Sequence, residues 1–290
     1  MGCRARGGKY NRVALKPQAV ETEVLKIVSE TAAAVTLRLG VAEPFPFRAG
    51  QAVTIDPHQF PVLADRIAAR EKEMGRPEFP RAFSIASSPL ETEFIEITIK
   101  KEVSPGPPPL LAIHFMEGLR PGDRIVVVGP LGKYMLPQPL GPSIEGIVYV
   151  SAGSGVAPNR GILKHCLAAK SPLRHLFVVQ DRTRADAIYE SELRGIAMLS
   201  GGSVRLVRIL SRETAEGFER GHLSAALIRR EMEGFISADR AIAFACGPNQ
   251  PRGVHEHGFV DAVAGVQRKG FVGILGECGI PFERIITERW

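Results

Sequence analysis

"IVYVSAGSGVAPNRGIL", residues 147–163, passes from a β-branched apolar run through Gly153 and Gly155 into residues with helical spacing. A short apolar segment that ends in a glycine turn and continues at once as a helix is the start of a parallel-strand crossover. The chain then keeps this alternation. "RHLFVVQD" (174–181), "SVRLVRIL" (203–210) and "RAIAFACGP" (240–248) read as strands, and "NRGILKHCLAAK" (159–170), "IYESELRGIAML" (188–199) and "LSAALIRREMEGF" (223–235) as helices. Such alternation predicts a parallel sheet flanked by helices, with its ligand crevice at the carboxyl ends of the strands. Glycines in the first turn let backbone N–H groups approach a pyrophosphate, and the helix N-terminus favours its charge. Pro158 takes the last place of the turn, so this is not the full GxGxxG form.

Upstream the rhythm is that of strands and turns. "AVETEVLKIVSE" (19–30), "AAVTLRLG" (33–40) and "AGQAVTIDP" (49–57) are short β-branched runs, and "FIEITIKKEV" (94–103) alternates as a half-buried strand should. "GLRPGDRIVVVGPLG" (118–132) is a turn, a strand and another turn. Strands at this spacing predict an antiparallel barrel or sandwich. "PVLADRIAAREKEMGRPEFP" (61–80) breaks the pattern, with Val62, Leu63, Ile67 and Ala68 at helical spacing, and reads as a helical excursion. "SPGPPPLLAIHFMEG" (104–118) is a proline-rich loop leading into a short helix. "LPQPLGPSIEG" (136–146) reads as a linker, so the chain is expected to divide into 13–142 and 143–290.

The 290 residues carry 37 Lys and Arg against 31 Asp and Glu, a net charge of +6 that favours acidic partners. The basic residues are scattered and aromatics make up 7%, which speaks against a dedicated nucleic-acid binder. Cys3, Cys166, Cys246 and Cys278 form no CxxC pair, so neither structural zinc nor a built-in iron–sulfur cluster is expected. No apolar run reaches transmembrane length, and the basic start reads as a mobile leader without a signal peptide's hydrophobic segment; a cytoplasmic location suits these features. His255 and His257 flank Glu256, but a spacing of two puts them on different faces of a helix, and no metal is expected there.

In "RAFSIASSP" (81–89), strand alternation sends Arg81 and Phe83 to one face and Ala82 and Ser84 to the other. Arg81 offers a planar fork for phosphate, Phe83 a flat apolar surface and Ser84 a small hydrogen-bonding group, a set able to hold a phosphorylated, ring-bearing ligand. Arg182 and Arg184 in "QDRTRADAIY" (180–189), with Ser211 and Arg212 in "LSRET" (210–214), could clamp a 2′-phosphate.

Taken in order, these motifs resemble the ferredoxin–NADP reductase family. "RAFSIASSP" is similar to its flavin-binding Arg-x-Tyr-Ser strand, "GPLGKYML" (129–136) to the stretch after the barrel's last core strand, "GSGVAP" to the nicotinamide-domain turn, "ACGP" to its Cys-Gly-Pro motif and the terminal "ERW" to its acidic-then-aromatic tail. The resemblance runs from about residue 20 to the end. It implies an antiparallel Greek-key flavin-binding barrel followed by a Rossmann-like nucleotide-binding domain, with FAD as cofactor and NADPH favoured over NADH. By the same resemblance Arg81 holds the flavin phosphates, Phe83 replaces the Tyr that packs on the flavin, Ser84 sits near its N5, and Ala82, Thr98, Ile99, Lys100 and Gly106 add to the flavin site. Gly153, Ser154, Gly155, Ala157 and Pro158 receive the pyridine nucleotide. Cys246, Gly247 and Pro248 lie beside the nicotinamide, Glu288 belongs to the proton network, and Trp290 stacks on the flavin.

Two departures stand out. Ile113 is the nearest counterpart of a small hydroxyl residue that plant-type members place against the flavin phosphates, for which Ser104 or the Gly106 loop could substitute. "NQPRGVHEHG" (249–258) inserts Pro251 and Gly253 after Cys-Gly-Pro. The expected activity is FAD-dependent NAD(P)H oxidation with electrons passed to an external acceptor such as an acidic ferredoxin-type protein. The alternative is a reductase-like interaction or regulatory subunit that has lost turnover.

Overall fold

The structure, a computed structural model, describes residues 16–101, 109–247, 259–260, 267–268 and 270–289. The first sheet contains β1 (Gln18–Thr31), β2 (Ala34–Val41), β3 (Ala52–Ile55), β4 (Arg81–Ser84), β5 (Phe94–Lys100) and β6 (Arg124–Leu131). Their spatial order is β4-β3-β6-β1-β2-β5, every pairing being antiparallel. A bridge from Ile85 to Ile97 joins the extension of β4 to β5 and brings the sheet close to a closed barrel. Closure removes the exposed edges that such a sheet would otherwise present. The inward positions of these strands, Val24, Leu37, Leu39, Ile55, Ile95, Ile97, Ile125 and Val127 among them, make one buried core. Each such side chain contributes about 1.5–3 kcal/mol of burial.

The helical excursion is α1 (Ala64–Met74), entered through single turns at Pro57–Gln59 and Pro61–Leu63 and ended by Gly75 at φ 64°. A left-handed residue at that place is the usual helix stop, and glycine adopts it without a Cβ clash. Its buried face is Leu63, Ile67 and Arg70, whereas Val62 and Ala68, expected to pack with them, face solvent. The proline loop leads into α2 (Leu110–Ile113), which continues as a wider turn over His114–Gly118.

The second sheet is parallel throughout. Its members are β7 (Gly146–Ala152), β8 (Arg174–Asp181), β9 (Val204–Leu210), β10 (Glu219–Arg220), β11 (Ala241–Gly247) and the last strand, Ile285–Arg289. The two-residue strands β12 (Phe259–Val260) and β13 (Gln267–Arg268) pair with each other outside it, which makes Ile285–Arg289 strand β14. The order β10-β9-β8-β7-β11-β14 places β7, with its glycine turn, between β8 and β11. Connections run through α3 (Val156–Ala168), α4 (Glu190–Leu199), α5 (Ala225–Met232) and α6 (Phe271–Glu277). Ser224 starts α5 by accepting the Leu227 amide, the hydrogen bond that a helix N-cap supplies.

One helix is buried on nearly every side. In α3, residues Val156 to Leu163 are all buried, Asn159 and Arg160 included, because the helix lies between the second sheet and the barrel. Its apolar contacts form one cluster with Ala34, Ala49, Ala86, Tyr134 and Leu136 from the barrel half. The same seam corrects the expectation for β5. Its outward residues Glu96 and Thr98 are buried as well, at 2% and 6% exposure, because that face meets α3 and Tyr189 rather than solvent.

Candidate active site

Where the two sheets meet, the end of β4 faces the end of β14. Ser84 Oγ donates to Glu288 Oε2 across 3.0 Å, a contact between residues 204 positions apart. Burial raises the Glu288 carboxyl above its ordinary range, and the Ser84 hydrogen bond only partly offsets this. Glu288 lies opposite Cys246 in the β11–β14 register, so a thiol, a carboxyl and a hydroxyl share one end of the parallel sheet. Cys246 is fully buried.

Beside them the glycine turn closes against β11. Residues Gly153–Gly155 make one tight helical turn before α3, with Gly153 at φ 53°. A Cβ on Gly155 would stand 2.2 Å from the Cys246 carbonyl oxygen, so only glycine permits this approach. A Cβ on Gly153 would stand 3.4 Å from Lys100 Nζ, which brings the lysine of β5 to the turn. The other residues expected from that strand behave differently. Ile99 is buried in the barrel core, and the Thr98 hydroxyl is bonded to Tyr189 and Thr36. Lys100 is therefore the member of that trio whose side chain reaches the turn.

Tyr134 and Asn159 were not singled out from the sequence, although both lie within quoted motifs. The Tyr134 hydroxyl donates to Asn159 Oδ1 at 2.6 Å, and Asn159 Nδ2 donates to Ser151 Oγ at 2.8 Å. This chain ties the segment after β6 to α3 and β7. Tyr134 is buried, which pushes its phenol well above the usual value and keeps it a neutral donor.

Arg81 is engaged more closely than its sequence suggests. Its Nη2 lies 2.5 Å from Glu78 Oε1, and the buried Arg70 approaches the same oxygen at 3.7 Å. Glu78 Oε2 is buried without a hydrogen-bond partner. The Arg81 fork keeps more than half of its surface exposed, so one carboxylate oxygen does not exhaust it. Phe83 packs inward on Phe115, their centroids 5.9 Å apart, while Ala82 is exposed.

At the far end of the crevice the loops after β8 and β9 lie together. The Arg212 amide donates to the Arg182 carbonyl at 2.9 Å, and the Ser211 amide to the Asp181 carbonyl at 3.0 Å. Arg182, Arg184 and Arg212 point their charge to solvent around Ser211. Arg220, not singled out from the sequence, joins them by donating to the Ser211 carbonyl at 2.6 Å. Beneath this surface Arg208 donates to Asp181 Oδ2 at 3.0 Å and to the Ile188 carbonyl at 2.6 Å, bracing the loop that carries the arginines. Burial raises Asp181 to about 6 even with Arg208 beside it.

Gly106, Pro248 and Trp290 lie outside the described residues, as do Cys3, Ser104, His255, His257 and the "NQPRG" segment. Among the described residues no group of three His, Cys, Asp or Glu side chains could hold a metal ion, and no helix is long and apolar enough to cross a membrane.

Comparison with known proteins agrees with this geometry. The oxidoreductase NAD-binding domain family matches residues 149–251, which begin in β7 and take in the glycine turn and the arginine loops. The chloroplastic ferredoxin–NADP reductase of Mesembryanthemum crystallinum is 26% identical over 70% of the chain and 56% of its own length. The reductase component of propane 2-monooxygenase from Mycolicibacterium goodii is 28% identical over 84% of the chain and 64% of its own length. The chain thus spans between 56% and 64% of these relatives. The Amycolatopsis cytochrome P450 reductase GcoB has the same fold, with a TM-score of 0.72 at 23% identity over 96% of the chain and 71% of its own. A Neisseria gonorrhoeae ferredoxin NADP+ reductase, whose structure holds FAD and NADP, follows at 0.64 and 16%, covering 93% of the chain and 98% of its own. A barrel docked on a parallel sheet, the reductase motifs in their order along it, an NAD-binding oxidoreductase domain and relatives named as reductases make this chain similar in sequence and fold to the ferredoxin–NADP reductase family of flavin- and NAD(P)-binding oxidoreductases.

Proposed function

We propose that this chain is an FAD-dependent NAD(P)H oxidoreductase that takes hydride from NADPH and delivers electrons to an external acceptor. The observation that carries the reading is the Ser84–Glu288 hydrogen bond, which joins the end of the barrel's RAFS strand to the carboxyl end of the parallel sheet. On this reading residues 13–142 hold the flavin and residues 143–290 the nucleotide. The residues present fit both groups. A Gly153–Gly155 turn that a Cβ would fill, followed by a helix N-terminus, suits a dinucleotide pyrophosphate, and the half-exposed Arg81 fork suits the flavin's phosphates.

The chain's own contribution is positional and protic. When bound, the flavin supplies the chemistry that links a two-electron donor to one-electron acceptors. Ser84 Oγ presents a hydroxyl beside Glu288, whose raised affinity for a proton lets it hold one at Oε2 and pass it through Ser84. Gly155 keeps the turn against the backbone of Cys246 and Gly247, so the carboxyl end of β11 borders the place where the nicotinamide would enter. Arg182, Arg184, Ser211 and Arg212, with Arg220, form the surface for a 2′-phosphate and underlie the choice of NADPH. The acceptor is a separate acidic redox protein of ferredoxin type, drawn by the net charge of +6. Relatives named as a ferredoxin–NADP reductase and as reductase components of a monooxygenase and an O-demethylase support an external protein acceptor.

The Glu78 carboxylate on Arg81 favours a second reading, a subunit whose phosphate-binding arginine is already occupied. The visible spectrum of the purified protein separates the two. A yellow protein that bleaches anaerobically with NADPH, and more slowly with NADH, supports the enzyme. A colourless protein that takes up no added FAD supports the subunit.

A further inference from the structure

Arg160 is a charged residue in the middle of a buried helix, and it faces the barrel. It is 6% exposed and sits five residues beyond Gly155 on α3. Its Nη1 donates to the Ala86 carbonyl at 2.9 Å and to Glu96 Oε2 at 2.7 Å, and its Nε donates to Glu192 Oε2 at 2.8 Å. Its guanidinium carbon stands 4.5 Å from the centre of the Tyr189 ring, whose hydroxyl meets Thr98 and Thr36 of the barrel. Glu96 is held from its other oxygen by Arg38 at 2.8 and 3.0 Å. Lys164, one turn along α3, reaches Glu91 at 2.8 Å. Immediately after Arg160, a Cβ on Gly161 would stand 2.8 Å from the Ile85 carbonyl and 2.9 Å from that of Ser87, so helix and barrel backbone touch.

The two backbone segments that Arg160 joins are those that carry the site. Ala86 follows Ser84 by two residues, and α3 follows the Gly153–Gly155 turn directly. A buried ion pair is poor evidence of stability, since burial costs each charge about what their attraction returns. A planar fork that binds a carbonyl and two carboxylates in fixed directions does define a geometry, which a lysine ammonium would not reproduce. We propose that Arg160 is a positioning residue: it fixes the separation between the Ser84 end of the barrel and the nucleotide turn, and so the spacing across which hydride passes. This rests on the function proposed above. The hydride leaves the nicotinamide with both electrons and its proton, and Arg160 itself exchanges neither.

The test compares wild type with Arg160→Lys and with the double variant Arg160→Met/Glu96→Met, which leaves neither charge of that pair buried. Three measurements are made on each: flavin content with binding of adenosine 2′,5′-bisphosphate, the anaerobic rate of flavin reduction by NADPH, and a spin-label distance between barrel and parallel-sheet half in flavin-free protein. For the last, labels go on Leu25→Cys and Met198→Cys, both at exposed positions, in a Cys3→Ser background; Cys166, Cys246 and Cys278 are buried. The expected result is unchanged flavin content and bisphosphate affinity within about twofold, a broadened distance distribution, and a reduction rate lowered at least tenfold with KM for NADPH little changed. Reduction at the wild-type rate in both variants, or a slowing matched by equal loss of flavin or bisphosphate binding, overturns the positioning role. A wild type that holds no flavin or is not reduced by NADPH overturns the functional reading instead.

Discussion

Replacing Gly155 by alanine tests the tightest backbone approach that a described glycine makes. The backbone there has φ −60°, which any residue adopts, so the substitution adds a methyl group without backbone strain. That methyl carbon would lie 2.2 Å from the Cys246 oxygen, 2.5 Å from its carbonyl carbon and 2.9 Å from the Gly247 nitrogen. Ordinary contact needs more than 3 Å, so turn and strand must separate by about 1 Å in a close-packed interior. Neither side yields easily. Cys246 is held between β7 and β14, and α3 is pinned to the barrel by Arg160 and Gly161. Overpacking of this kind costs about 1–3 kcal/mol, which in a chain of this size lowers the unfolding temperature by roughly 2–10 °C. A misplacement of about 1 Å between reacting groups lowers the rate by up to about 100-fold. Calorimetry and stopped-flow reduction by NADPH read the two effects separately. Gly195→Ala is the control, since a Cβ there meets nothing within 4 Å, and it should stabilise α4 by about 0.5–1 kcal/mol. A Gly155→Ala protein that melts with the wild type and is reduced at its rate would refute the reasoning.

Glu288→Gln should lower the reduction rate about 100-fold and abolish the alkaline limb of its pH profile, where the rate falls as the carboxyl loses its proton above the usual carboxylate range; an unchanged profile assigns that limb to another group. Arg212→Ala should raise KM for NADPH roughly tenfold and leave that for NADH alone, as steady-state kinetics with both nucleotides will show. Glu78→Gln should tighten flavin retention and Arg81→Ala weaken it, measured by dialysis, because both act on one guanidinium. Stability should respond to pH through two buried groups of opposite sign. Burial holds His175 at about 4 against 6.5, so stability is lost as pH falls between those values, by about 3 kcal/mol in all. Asp181, at about 6 against 3.8, binds a proton more readily when folded and gains a similar amount as pH falls through its own window, roughly 3 kcal/mol. The two nearly cancel between pH 4 and 6, and His175→Phe should reveal rising stability there in denaturant titrations.

The alternation of strand and helix after residue 146, and the β-branched runs before it, made both sheets legible, because each element's burial follows from its own pattern. What stayed hidden depends on contacts between the halves. "FIEITIK" alternates as if one face met water, yet Glu96 and Thr98 on that face are covered by α3 and Tyr189, which no local period reveals. Arg160 stood inside a motif read for its glycines, and Tyr134 inside one read for its position after a strand. Ser84 and Glu288 could be named through the family resemblance, but their hydrogen bond exists only once β4 and β14 meet. Glu78 gave no signal, since its partners Arg70 and Arg81 lie on either side of a turn.

The seam along α3 bears on how far this chain can be divided. Cut between residues 140 and 144, it would give two fragments, one with Glu96 in a sticky apolar recess and the other with Arg160 on a bare greasy helix. Each alone should precipitate, whereas the pair produced together should reassemble into one soluble particle. Fused to two other proteins, such halves would hold them together in one soluble particle.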